Sequence, residues 1–302
     1  MKKVWTLIAF LGMITSTTLA SPQLQAKADE VSQLAAPAVY PETVIITAPG
    51  SKESNLTDDP INPPEHAGGL IDSMTRTLKQ NFAADIESHK LLVWQLPYAA
   101  TLDNYDESRN GGEARLTEFI RNTRTACPNT NYILVGYSQG ADIVGDIASD
   151  TGNNSDALIP ADKLLGVTLF ADPRRAPGQG IAMGSGHADG AGIEVSTSIV
   201  RPYVDMAAQA NLLPAATINN LQGFSSRPAR SNGFGSVNDR VINICNFNDS
   251  VCDLPTTLAD LPRYPRLSDA VHVSYLQPSA VVPGITMNQW LNSWVSNLLP
   301  KQ

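Results

Sequence analysis

The chain has 302 residues, a formal net charge of −8, 42% hydrophobic residues and 17% charged residues. This composition is too apolar for a disordered chain, and the length suits one large domain or two small ones. Because no segment concentrates lysine and arginine, nucleic-acid binding has no electrostatic basis in this sequence.

The first 28 residues have the pattern of an export signal. Lys2 and Lys3 precede an almost wholly apolar run over 4–14, and small residues follow, so cleavage is predicted after Ala20 or after Ala28. The apolar run is shorter than the roughly 20 residues of a membrane-spanning helix, which favours a cleaved signal peptide over a retained anchor. We therefore expect a secreted or envelope-associated protein, in which disulfide bonds can form.

Residues 29–42 are rich in alanine, proline and polar residues and are predicted to form a linker. Short apolar runs with few polar interruptions follow, and such runs are typical of strands buried on both faces of a parallel sheet. The predicted strands are Thr43–Ala48, Leu91–Leu96, Tyr132–Gly136, Leu165–Ala171 and Val241–Cys245. Helical spacing of apolar residues separates or follows them over 70–82, 116–120, 140–149 and 287–299. Strands that alternate with helices indicate an α/β fold with a central, mostly parallel five-stranded sheet.

Residues 173–240 differ from this pattern because they are rich in glycine, proline and alanine, with one helical stretch at about 203–222. We expect an excursion from the sheet, so that 43–302 form one domain. The helix predicted over 287–299 has two interpretations, core packing and binding to a membrane surface. Its polar face lacks the lysines and arginines of membrane-surface helices, which favours core packing.

The strongest chemical signal is Gly136-Tyr137-Ser138-Gln139-Gly140, which fits the nucleophile-elbow pattern Gly-x-Ser-x-Gly. A predicted strand leads into the pattern and a predicted helix leads out of it. The glycines permit a sharp strand-to-helix turn that presents the serine, and the helix N-terminus supplies N–H groups that stabilise negative charge. The pattern predicts Ser138 as a nucleophile.

A serine nucleophile needs a general base, and the base needs a carboxylate to orient it. In α/β-hydrolases the chain order is serine, then acid, then histidine, which leaves His187 and His272 as candidate bases. His272 precedes the last helix, whereas His187 lies in the glycine-rich excursion. The acid is Asp249, in a loop after the fifth strand, or Asp172, after the fourth.

The cysteines bear on this choice. Cys245 and Cys252 would close a short disulfide loop around Asp249, which would fix the direction of its carboxylate, and Asp249 is preferred on that ground. Asp253 lies just outside the loop. Cys127 is left without a partner and is expected to be a buried free thiol.

Together the elbow, the Cys-x3-Asp-x2-Cys loop over 245–252 and the histidine after it resemble the cutinase family. The chain is most similar to the cutinase-like proteins of mycolic-acid bacteria, over about 43–299. Further shared segments are Thr57-Asp-Asp-Pro60, Gly145-Asp-Ile-Ala-Ser-Asp150, Gly166-Val-Thr-Leu169 and Asn232-Gly-Phe-Gly235.

The resemblance implies a three-layer α/β-hydrolase sandwich and a catalytic triad of Ser138, Asp249 and His272. It implies an oxyanion hole formed by the backbone N–H groups of Gln139 and Ser51. It also implies a monomer that needs no metal or organic cofactor. Family members pair a cysteine like Cys127 with one near the first strand, and this chain has none there.

The substrates that the resemblance implies are esters of fatty acyl chains, including phospholipids and thioesters of the cell envelope, with peripheral contact to membrane or cell-wall lipid. Two alternatives stay open. An acyltransferase would use the same triad with a sugar or lipid hydroxyl in place of water. A non-catalytic envelope-binding protein would keep the scaffold without the reaction.

Overall fold

The computed structural model describes residues 41–185, 188–209, 225–257, 267–277, 282 and 284–300. All of them belong to the unit Ala36–Gln302. The predicted signal peptide, most of the predicted linker and His187 lie outside the described residues, so these predictions remain predictions. None of the helices in the described ranges is long and apolar enough to cross a membrane.

The described residues form a central six-stranded sheet in which every strand pairs in parallel. The strand order is β2-β1-β3-β4-β6-β5. The strands are β1 (Thr43–Ala48), β2 (Leu91–Gln95), β3 (Asn131–Tyr137), β4 (Leu164–Phe170), β5 (Ile181–Met183) and β6 (Val241–Ile244). Because the strands are parallel, their carboxyl ends meet at one edge of the sheet, and the loops that follow them lie close together.

The prediction of five strands was wrong, because the sheet has six. The strand that the sequence did not predict is β5. It lies within the excursion 173–240 and pairs with β6 at the edge of the sheet. It has three residues, and Ile181 and Ala182 are exposed. Its apolar run, Ile-Ala-Met, is shorter than the roughly four residues that indicate a strand in a sequence.

Seven α-helices accompany the sheet in the described ranges. They are α1 (Leu70–Asn81), α2 (Ala83–Glu87), α3 (Tyr105–Ala126), α4 (Gln139–Asn153), α5 (Ile193–Gln209), α6 (Asp269–His272) and α7 (Met287–Leu298). The helix predicted at about 203–222 overlaps α5 only in part, because α5 begins at Ile193 and residues 210–224 lie outside the described ranges.

Helices cover both faces of the sheet, which gives the predicted three-layer α/β-hydrolase sandwich. On one face, Ile45 and Ile133 share a buried cluster with Met74 of α1 and Leu291 of α7. On the other face, Trp94 of β2 stacks on Phe119 of α3, with ring centroids 4.0 Å apart. The prediction that α7 packs into the core is therefore confirmed, since alternate strand residues and the apolar side of this helix share one cluster.

Behind α4 lies a cluster of buried charges. Arg230 is buried and binds three carboxylates, with 2.6 Å to Asp172, 2.8 Å to Asp146 and 3.2 Å to Asp142. The carboxylates of Asp142 and Asp146 also bind Arg109, Arg174 and Arg227. The cluster joins α4 to the end of β4 and to the segment after 224.

Candidate active site

Ser138 stands between β3 and α4, at the carboxyl edge of the sheet. Its backbone has φ 52° and ψ −123°, a conformation that is strained for a residue with a side chain. The turn needs glycine after it, because a Cβ on Gly140 would lie 2.1 Å from the carbonyl oxygen of Ala48. The elbow is therefore packed directly against the end of β1, and Ser138 is held at the start of a helix.

The structure brings Ser138, His272 and Asp249 together in one hydrogen-bonded chain. Ser138 Oγ lies 3.1 Å from His272 Nε2. On the other side of the ring, His272 Nδ1 lies 3.1 Å from Asp249 Oδ1 and 3.3 Å from Oδ2. A neutral imidazole that donates from Nδ1 to the carboxylate presents a bare Nε2 to the serine hydroxyl, which is the arrangement that a general base requires.

Asp249 is fully buried and is held by more than the histidine. The backbone N–H of Val251 donates to Oδ1 at 2.7 Å, and the hydroxyl of Tyr275 donates to Oδ2 at 2.6 Å. Burial raises the pKa of the Tyr275 hydroxyl well above its usual range, and the Asp249 charge raises it further, so this hydroxyl remains a donor. Tyr275 was not expected from the sequence, because a tyrosine three residues after a histidine has no recognisable signal.

Tyr137, the residue before Ser138, supports the histidine. Its hydroxyl donates to the carbonyl oxygen of His272 at 3.0 Å, and the two rings stack with centroids 5.0 Å apart. A residue of the elbow thus positions the helix that carries His272, so the nucleophile and the base are aligned by direct contact.

The predicted disulfide is confirmed between Cys245 and Cys252, whose Cα atoms are 5.9 Å apart. It closes the loop that carries Asp249. Cys127 is free, as expected, but it is half-buried rather than buried, because it lies at the C-terminal end of α3.

The residues predicted to form the oxyanion hole lie beside the nucleophile. Gln139 is the first residue of α4, where backbone N–H groups have no partner within the helix. Ser51 lines the same cavity as Ser138, and a Cβ on the preceding Gly50 would lie 3.3 Å from Ser138 Cβ. Both residues are therefore placed where their N–H groups could bind a developing oxyanion.

A buried carboxyl group fixes the loop that carries Ser51. Glu53 accepts hydrogen bonds from the backbone N–H of Gly50 at 3.1 Å and of Leu70 at 2.8 Å. Burial raises the pKa of Glu53, although these backbone N–H groups oppose that shift. Glu53 therefore ties the end of β1 to the start of α1 and preserves the shape of the loop.

The comparisons with known proteins agree with this geometry. The sequence model of the Cutinase family matches residues 64–281. The chain belongs to the cutinase family. It is 39% identical over 270 residues to the Carboxylesterase Culp6 homolog of Corynebacterium glutamicum, which covers 86% of this chain and 81% of that protein. It is 26% identical over 172 residues to Carboxylesterase Culp1 of Mycobacterium tuberculosis, which covers 55% of this chain and 66% of that protein.

Among solved structures, the catalytic core domain of acetyl xylan esterase from Trichoderma reesei has a TM-score of 0.51 at 17% identity, over 86% of this chain and 99% of that chain. This likeness shows a shared fold. The predicted resemblance to the cutinase-like esterases of mycolic-acid bacteria is confirmed by the two bacterial relatives. This cutinase-family protein is a carboxylic ester hydrolase.

Asp172, the alternative acid, is bound in the cluster of buried charges. Asp172 is bound by Arg230 at 2.6 Å and accepts from the backbone N–H of Arg174 at 2.9 Å. Asp253 accepts from the backbone N–H groups of Asn248 and Gly190, both at 2.8 Å.

Among the described residues, no group of three histidine, cysteine or acidic side chains could hold a metal ion.

A cavity of about 200 Å³ opens beside Ser138 and is lined mostly by apolar atoms. Leu102, Ile193 and Val251 contribute to its wall. An apolar cavity at a nucleophile suits the hydrocarbon part of an ester. Ile193 comes from the excursion 173–240, which therefore contributes to the cavity.

Replacing both Cys245 and Cys252 with alanine is expected to lower the free energy of unfolding by about 2.5 kcal/mol. The disulfide stabilises the protein because it reduces the chain entropy of the unfolded state, and this reduction is modest for a short loop. Chemical denaturation measures the change. Cys127→Ala is the matched control and should cost much less, since that cysteine forms no disulfide. Equal stability of the double variant and the unaltered protein would contradict a stabilising role for the disulfide.

Tyr275→Phe is expected to lower kcat about tenfold or more with little change in KM. The hydroxyl is a positioning group for Asp249, and a hydrogen bond to a charged group contributes about 1.5–3 kcal/mol. Steady-state kinetics on a p-nitrophenyl ester separate the two constants. A rise in KM at constant kcat would instead assign Tyr275 to substrate binding.

Proposed function

We propose that this cutinase-family protein hydrolyses esters of fatty acyl groups through an acyl-enzyme on Ser138. The observation that carries the proposal is the continuous hydrogen-bonded chain from Ser138 Oγ through His272 to Asp249, at the mouth of an apolar cavity. A serine, a base and a buried orienting carboxylate in this order are the components of nucleophilic acyl transfer.

In the first half of the reaction, His272 Nε2 takes the proton from Ser138 as Oγ bonds to the acyl carbon. The carbonyl electron pair moves to oxygen, and the N–H groups of Gln139 and Ser51 are the proposed donors to that oxyanion. When the carbonyl re-forms, the bond to the alcohol breaks and the departing oxygen takes the proton from Nε2. Asp249 stays ionised throughout and stabilises the imidazolium.

In the second half, water takes the place of the alcohol. His272 removes a proton from the water, whose oxygen attacks the acyl carbon. The tetrahedral intermediate then collapses, the acid leaves, and Ser138 recovers its proton. The residues at hand supply nucleophile, base and oxyanion donors, so the proposed cycle needs no metal and no organic cofactor.

The proposed setting is outside the cytoplasm, with an envelope lipid as substrate. The export pattern of residues 1–28 supports export. The disulfide between Cys245 and Cys252 supports an oxidising compartment. Phospholipids and thioesters remain proposed substrates, on the strength of the family resemblance.

The test is hydrolysis of p-nitrophenyl esters from acetate to palmitate, combined with labelling by a fluorophosphonate probe and peptide mapping. We expect a burst of p-nitrophenol, a labelled peptide that contains Ser138, and loss of activity on labelling. Addition of glycerol or trehalose separates hydrolysis from acyl transfer, since a transferase would form new esters. Hydrolysis that continues with Ser138 fully labelled would contradict the proposed mechanism.

A further inference from the structure

Asp253 is a buried carboxylate that the proposed reaction does not use. It comes directly after the disulfide loop 245–252, here called the acid loop because it carries Asp249. Its two oxygens accept from different backbone N–H groups, Oδ2 from Asn248 and Oδ1 from Gly190, both at 2.8 Å. A charge that is fully buried needs such partners, because its removal from water is costly. Asp253 therefore joins the acid loop to the excursion 173–240.

The contacts of Asp253 lie on both sides of the catalytic acid. Its carboxylate binds the N–H of Asn248, the residue before Asp249, and its own N–H donates to the carbonyl oxygen of Asp249 at 3.1 Å. Asn248 has φ 63°, a left-handed conformation that is uncommon for a residue with a side chain, although asparagine tolerates it better than most. The backbone on either side of Asp249 is thus fixed by one residue, and the direction of the Asp249 side chain follows from that backbone.

Arg175 holds the acid loop from another side. It is buried, and its Nη1 donates to the carbonyl oxygen of Cys252 at 3.2 Å and to that of Gly190. Its Nη2 donates to the carbonyl oxygen of Ala188 at 2.6 Å. Burial lowers the pKa of Arg175, and the negative charge of Asp253 opposes that shift, so the attraction between the two groups favours the charged form of Arg175.

The excursion that anchors the acid loop also lines the cavity beside Ser138. The N–H of Ile193 donates to the carbonyl oxygen of Val251 at 2.8 Å, and both residues contribute to the cavity wall. The N–H of Val251 in turn donates to Asp249 Oδ1 at 2.7 Å. The acid loop and the cavity wall are therefore fixed relative to each other.

We propose that Asp253, together with Arg175, is a positioning residue that directs the Asp249 carboxylate at His272. This inference rests on the proposed function, because Asp253 touches no reacting atom and acts on the reaction only through the triad. A displacement of about 1 Å in a catalytic arrangement costs on the order of a hundredfold in rate, so loss of this anchor should be visible in kcat.

Asp253→Asn tests the anchor with almost no change in side-chain volume. The amide keeps one acceptor oxygen but turns an NH₂ group toward the other backbone N–H, so only one of the two hydrogen bonds survives. We expect kcat on p-nitrophenyl butyrate to fall about 10- to 100-fold, with little change in KM. A rise in KM at constant kcat would contradict a role in positioning the acid.

The matched control is Asp150→Asn. The two oxygens of Asp150 also accept from different donors, the side chain of Asn154 at 2.6 Å and the backbone N–H of Leu158 at 3.1 Å. Asp150 lies near the end of α4 that is remote from Ser138. This variant should keep the kcat of the unaltered enzyme. A loss in kcat equal to that of Asp253→Asn would show that neither effect concerns the triad.

A double-mutant cycle with Asp249→Asn separates positioning from a general effect on the fold. Once the orienting carboxylate is gone, Asp253→Asn should cost no further activity, because the two residues act as one unit. An equal loss with and without Asp249 would overturn the inference. If Asp253→Asn does not fold, Arg175→Lys takes its place in the cycle, since an ammonium group lacks the planar fork that binds three carbonyl oxygens.

The proton on His272 Nδ1 provides a test that needs no substrate. Its low-field NMR resonance reports the hydrogen bond to Asp249, and Asp249→Asn identifies the signal by its loss. We expect the resonance to shift or disappear in Asp253→Asn and to persist in Asp150→Asn. An unchanged resonance in Asp253→Asn would overturn the inference. If the unaltered protein hydrolysed no ester, the proposed function would fail, while this resonance would still decide whether Asp253 positions Asp249.

Discussion

Ser138→Ala is expected to lower kcat on p-nitrophenyl butyrate by at least about 10⁴-fold, with an unchanged fold. In a serine hydrolase, loss of the nucleophile alone costs about as much as loss of the whole triad, because serine and histidine act as one unit. The hydrogen bond of 3.1 Å between Ser138 Oγ and His272 Nε2 places the two in such a unit here. The small activity that remains would come from oxyanion stabilisation and substrate binding.

Ser149→Ala provides the control for this prediction. Ser149 lies on the same helix, α4, and its hydroxyl donates to the carbonyl oxygen of Gly233 at 2.7 Å, away from the triad. The control should keep its activity, and thermal unfolding should confirm that both variants fold. If folded Ser138→Ala kept more than about one hundredth of the activity, another residue would have to be the nucleophile.

Arg230→Ala is expected to lower the free energy of unfolding by about 3–5 kcal/mol, which is the usual cost of breaking a buried ion pair from one side. Arg230 is buried and binds Asp142, Asp146 and Asp172, with Asp142 and Asp172 themselves fully buried. Removing the guanidinium takes away a cationic partner from all three carboxylates, in a site that excludes water. The corresponding fall in melting temperature is on the order of 10 °C.

The control for Arg230→Ala is Arg76→Ala. Arg76 pairs with Glu65 at 3.2 Å, but the two side chains are 46% and 71% exposed. Exposed pairs contribute at most about 1 kcal/mol, so this variant should unfold near the temperature of the unaltered protein. Equal melting temperatures for the two arginine variants would show that the buried cluster contributes no more than a surface pair.

The sequence by itself determined the features that depend on neighbouring residues. The apolar runs predicted five of the six strands, because a strand buried on both faces needs an unbroken run of apolar residues. The elbow around Ser138 was recognisable because glycine is required within a few residues of the strained serine. The disulfide was predictable because Cys245 and Cys252 are close in the chain.

Only the tertiary structure decided which distant groups meet. Asp172 and Asp249 both follow strands that end at the same edge of the sheet, and only the predicted disulfide loop favoured Asp249 over Asp172 as the acid. The structure places Asp249 beside His272, whereas Asp172 is bound by Arg230, which lies 58 residues further along the chain. Tyr275 is likewise visible as a support for Asp249 only in the fold.

The cavity beside Ser138 shows the same limit. Leu102, Ile193 and Val251 lie far apart in the chain, and all three contribute to one cavity wall. Burial and hydrogen-bond partners depend on contacts between distant segments of the chain. The periodicity of a sequence, in contrast, indicates only which face of a helix or strand is apolar. The sequence therefore determined the fold class, the nucleophile elbow and the preference for Asp249, while the contact of Asp249 with His272 and the lining of the cavity came from long-range packing.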